Sequence, residues 1–150
     1  MAVHYFEDFK VGDRFAGGSI DVTQDAIISY ARQFDPQPFH TDPDAAKKTL
    51  FGELVASGWH TASMTMRLFA TSDIRIVNGI VGGGAEQLSW PRPVRPGDRL
   101  TVRSEVLDTR VSRSKPDRGM IRVRVDTLNQ NDEVVQSFIG QLVVLKRSAG

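Results

Sequence analysis

The stretch "SGWHTASMTMRLFATS", residues 57–72, decides how the rest of the chain must fold. Ser57 can cap a helix whose first residues are Gly58 and Trp59. Trp59, Ala62, Met66 and Phe69 mark one helical face, Met64, Leu68 and Ala70 mark others, and Arg67 is the only formally charged residue. A helix apolar nearly all round is enclosed by other structure. The segment therefore predicts a long buried helix, and the remaining sequence has to supply its wrapping.

That wrapping follows it. In "DRLTVRSEVL" (98–107), Leu100, Val102 and Val106 share one face while Thr101, Arg103 and Glu105 share the other. In "MIRVRVDTL" (120–128), Ile121, Val123 and Val125 alternate with Arg122, Arg124 and Asp126. Period two with one polar face is the pattern of half-exposed antiparallel strands. "NQND" (129–132) reads as a hairpin turn into the apolar strand "VVQSFIGQLVVL" (134–145), and "WPRPVRPGD" (90–98) as a proline-rich connector ending in a tight turn. "GGG" at 82–84 lacks the Gly-Lys-Ser/Thr ending of a phosphate loop and reads as a bulge or close approach in a strand.

Upstream, "VGDRFAGGSIDVT" (11–23) reads as a glycine-interrupted strand entering a helix. Thr23 is its N-cap, Asp25 lies in its first turn, Ile27, Ala31 and Phe34 form its apolar face, and Pro36 stops it. Asp42 followed by Pro43 signals a second, short helix. Strands follow helices in a run rather than alternating with them, which predicts an α+β fold: an antiparallel sheet curled around one long helix. Such a sheet has an open edge that a second copy can cover, so a homodimer is expected.

The chain of 150 residues is long enough for one domain, residues 1–150, with its own core. Nineteen basic residues against eighteen acidic ones point to no nucleic-acid or membrane-surface partner. The absence of cysteine excludes disulfides and thiolate chemistry. The start "MAVHYFEDFK" has no apolar signal region and no apolar run reaches ~18–20 residues, so a cytoplasmic protein is expected.

Chemistry concentrates in "FDPQPFHTDPDAA" (34–46). Asp35 and His40 together could grip one water, one group taking its proton while the other orients it or returns a proton to the product. Along a straight polyproline path five residues span about 15 Å, at about 3.1 Å per residue. Two groups sharing a water should lie within roughly 6 Å, two hydrogen bonds of about 3 Å. The pairing thus requires "PQPF" to curl. The plainer alternative is that Asp35 opens a turn and His40 is a core histidine bonded to a carbonyl. A third element is the start of the buried helix, where the Gly58 N–H is free at the positive end and no side chain blocks approach. An amide there suits a carbonyl oxygen that gains negative charge. A metal site from His40, Asp42, Asp44 and His60 is disfavoured because Asp42 and Asp44 are explained as helix-start residues, so no metal is expected. Arg110, Arg113, Lys115 and Arg118 gather in "RVSRSKPDRG" (110–119), either a solvated hairpin tip or a contact for phosphates.

"YFEDFKVGDRF", "FDPQPFHTDPDAA", "ASGWHTASMTMRLF" and "WPRPVRPGD" resemble, in order and over nearly the whole chain, the MaoC-like dehydratase family, relatives of the (R)-specific enoyl-CoA hydratases. The resemblance implies the hotdog fold, a dimer, and an acyl-CoA thioester substrate with no separate cofactor. Residue by residue, it implies Asp35 and His40 as catalytic groups and the Gly58 amide as the oxyanion donor. Arg113, Lys115 and Arg118 become candidates for the coenzyme A phosphates. The family motif commonly has asparagine where Gln37 stands and a smaller aliphatic residue where Phe39 stands. The implied activity is hydration of a trans-2-enoyl thioester to a (R)-3-hydroxyacyl thioester. The rivals are a hotdog acyl-CoA thioesterase and a non-catalytic acyl-thioester-binding subunit, since fold alone does not settle function.

Overall fold

A computed structural model describes residues 2–148. After a short 3-10 turn at Phe6–Asp8, the chain runs β1 (Arg14–Asp21), α1 (Gln24–Phe34), α2 (Pro38–Thr41), α3 (Pro43–Ala46), α4 (Gly58–Ala70), β2 (Val81–Ser89), β3 (Arg99–Val111), β4 (Arg118–Leu128) and β5 (Val134–Leu145). The five strands make one antiparallel sheet in the order β1-β3-β4-β5-β2, so β1 and β2 are its edges and the sheet is not closed.

The caps act as their chemistry dictates. Thr23 accepts from the Ala26 N–H, Asp42 from the Asp44 and Ala45 N–H groups, and Ser57 from the Trp59 N–H. The three-glycine run is a bulge: the register between β2 and β5 shifts between Gly82 and Gly84. The apolar phase of the long strands faces inward, burying Leu100, Val102 and Val106 of β3, Ile121, Val123 and Val125 of β4, and Val135, Leu142 and Val144 of β5. Against this concave face lies α4, with Met64, Leu68 and Phe69 buried in the same core.

The enclosure is one-sided, which corrects the expectation for α4. Trp59 is 56% exposed and Met66 47% exposed, because the sheet, packing through β1 and β3, covers only the opposite face of the helix. Phe34, expected on the buried face of α1 with Ile27 and Ala31, is also exposed, since α1 ends there at the rim of the fold. No helix among the described residues is long and apolar enough to cross a membrane.

Candidate active site

The segment between α1 and α4 curls, and a proline is part of the reason. Pro38 occupies the first turn of α2, where its missing N–H costs nothing. The Asp42 N–H closes that turn onto the Pro38 carbonyl and the His40 N–H reaches the Gln37 carbonyl. This turn replaces the extended path and brings His40 Nε2 to 3.4 Å from Asp35 Oδ2. Downstream, the Val55 N–H donates to the Phe39 carbonyl and the Ala56 N–H to the Val94 carbonyl, tying the entry to α4 against both α2 and the proline-rich connector.

Each group of the pair has a defined partner. The buried His40 ring donates through Nδ1 to the Val55 carbonyl at 2.7 Å, because a carbonyl can only accept. In the neutral ring that leaves the lone pair on Nε2, facing Asp35. Asp35 Oδ2 accepts from the Ser57 hydroxyl at 2.7 Å and Oδ1 accepts from the Gln37 amide. Burial pushes the Asp35 carboxyl upward, but the hydrogen bonds from Ser57 and Gln37 and the positive charge available on His40 outweigh it, so its pKa lies below the ordinary carboxylate value. Asp35 is therefore an ionised acceptor, and when the His40 ring is neutral its Nε2 is a second acceptor beside it. One water can donate to both and present its own lone pair elsewhere.

Ser57 joins this pair to the helix start. The same hydroxyl that donates to Asp35 accepts from the Trp59 N–H at 3.2 Å. The Gly58 N–H is bonded to nothing among the described residues. His40, Gly58, Thr61, Val55, Val94 and Trp90 line one cavity of about 360 Å³. Asp35, His40 and Gly58 are thus brought together, through the Ser57 bridge.

The other candidates lie elsewhere. His60 is buried and stacked on Tyr30 with ring centroids 4.6 Å apart, and burial lowers its pKa. Arg113, Lys115 and Arg118 sit at the β3–β4 hairpin, with Arg118 paired to Asp117 at 2.8 Å. From Arg118 to Thr127, the β4 residue paired with Gln136 near the cavity, nine steps along the strand cover about 30 Å at about 3.3 Å each. The structure does not bring the basic loop to the cavity of its own chain. Sequence reasoning missed the bridging role of Ser57, the Gln37–Asp35 bond and the part played by Trp90 and Gln136. Ser57 carried a signal as a cap; the Trp90–Gln136 pairing spans 46 positions and carried none.

Residues 10–129 match the family model described as the MaoC like domain. A MaoC-like dehydratase of known structure from Rhodospirillum rubrum superposes with a TM-score of 0.93 at 49% identity, covering 97% of this chain and 99% of that one. The protein YdeM of Bacillus subtilis (strain 168) is 32% identical over 93% of this chain and 96% of its own length. An (R)-specific enoyl-CoA hydratase of Rhodospirillum rubrum is 28% identical over 68% of this chain and 69% of its own.

Proposed function

Because the chain belongs to the MaoC-like dehydratase family and has the hotdog fold, we propose that it is a hydro-lyase that adds water to a trans-2-enoyl thioester, giving a (R)-3-hydroxyacyl thioester, and catalyses the reverse dehydration. One observation carries this reading: two adjoining proton acceptors, Asp35 Oδ2 and His40 Nε2, share a site with the unpartnered Gly58 amide at the start of α4. The amide donates to the thioester oxygen, drawing electron density from the conjugated double bond and leaving C3 electrophilic. Water held by Asp35 and His40 loses a proton to the pair as its oxygen bonds to C3. The pair then returns a proton to C2. The two groups act as one coupled base and acid, and no redox step is required.

The substrate is an acyl-CoA thioester and the assembly a homodimer, in keeping with the exposed Trp59 and Met66 and the open β2 edge. We propose that Arg113, Lys115 and Arg118 contact the coenzyme A phosphates from the second copy of such a dimer. In this reading the protein works in the cytoplasm. The test is a panel of trans-2-enoyl-CoA esters of graded length, followed at the absorbance of the conjugated thioester with a thiol reagent in parallel. Absorbance loss without thiol release supports hydration. Thiol release supports a thioesterase, and binding without turnover a non-catalytic subunit.

A further inference from the structure

The side chain nearest to Gly58 is that of Trp90. A Cβ built on it would meet Cε2, Cδ2 and Cζ2 of Trp90 at 2.7, 2.9 and 2.9 Å. Three ring atoms at nearly one distance mean that the indole lies with its face, not its edge, over Gly58. Its orientation is fixed from two sides. Trp90 Nε1–H donates to Gln136 Oε1 at 2.8 Å, and Gln136 is only 1% exposed. Trp59 meets the indole edge-on, with ring centroids 5.2 Å apart at 84°. Burying a glutamine is costly unless it is bonded, so this contact holds the indole in one pose.

We propose that Trp90, anchored by Gln136, is the specificity-determining wall of the site and restricts the acyl group to short chains; this rests on the hydratase reading above. Trp90, His40 and Gly58 line the same cavity, so an acyl thioester bound to the Gly58 amide is within reach of the indole. Phe51, Val55, Ala56 and Val94 line it further, and Val55, Ala56 and Val94 are buried. The groove of about 360 Å³ that these residues line is half open to solvent, and Trp90 is the largest side chain along it.

The experiment compares trans-2-butenoyl-CoA with trans-2-octenoyl-CoA as substrates of the wild-type protein, Trp90→Leu and Trp90→Phe. One methylene in a hydrophobic pocket is worth roughly 10–200-fold. The wild type should favour the butenoyl ester, and Trp90→Leu should raise the octenoyl-to-butenoyl ratio of kcat/KM by about tenfold or more. Trp90→Phe keeps a ring over Gly58 while losing the bond to Gln136, and should shift the ratio by less. General damage to the fold lowers both rates and leaves the ratio unmoved. A ratio constant within about twofold in both active variants overturns the proposal, as does a wild type that favours the octenoyl ester. Absence of hydration at every length instead overturns the hydratase reading. The indole is then tested in Trp59→Phe, whose single remaining tryptophan must change fluorescence on adding butyryl-CoA; no change again rejects Trp90 as the wall.

Discussion

At the scale of single residues, the account rests on two acceptors held by different means. A main-chain carbonyl fixes the His40 ring, while a serine and a glutamine fix the Asp35 carboxylate. Asp35→Asn keeps the shape and removes the negative charge; His40→Ala removes the second acceptor. Each should lower kcat by about 10²–10⁴-fold with the circular-dichroism spectrum unchanged, and the double variant should be little worse than either single one. Retention of more than about a tenth of wild-type turnover by either single variant would remove it from the mechanism. His60 makes a separate prediction, about stability. Its folded pKa is lowered from 6.5 by burial, so the native state binds fewer protons than the unfolded chain in acid. Its contribution is complete above 6.5 and is lost as pH falls below it. His60→Phe, which can keep the ring against Tyr30, should flatten the decline of Tm between about pH 6.5 and 5. An unchanged decline would assign the acid sensitivity to other groups.

At the scale of elements, the start of α4 carries both a structural cap and the site. Ser57→Ala removes the acceptor for the Trp59 N–H and the donor to Asp35 together. It should cost about 1 kcal/mol of stability and also reduce kcat, whereas Ser57→Thr should recover much of both. Lost stability without lost turnover would separate the cap from the chemistry. Much of the frame was legible beforehand: the period-two strands, the caps Thr23, Asp42 and Ser57, and the hairpin at 129–132 are local signals read locally. The approach of His40 to Asp35 was less accessible, although the proline that opens α2 after Gln37 is the same signal as the one that opens α3 after Asp42. The exposed face of α4 was not legible. An apolar pattern records burial, not whether the covering atoms belong to the same chain.

At the scale of the whole molecule, the proposed dimer places a second copy over the exposed Trp59 and Met66 of α4 and the open edge of β2. Light scattering at micromolar concentration should give twice the mass of the 16.6 kDa chain, and a monomer would contradict that arrangement. If the basic loop acts across such a dimer, reversing the charges of Arg113 and Lys115 should raise KM for enoyl-CoA at low salt and leave kcat nearly unchanged. The effect should fade as salt rises. An unaltered KM would make the loop a solvated tip. The central claim is tested most directly by the product the wild-type protein makes from trans-2-butenoyl-CoA. The account predicts loss of the conjugated absorbance, formation of (R)-3-hydroxybutyryl-CoA on chiral analysis, and no free thiol; release of coenzyme A, or no conversion of an enoyl ester of any length, would contradict it.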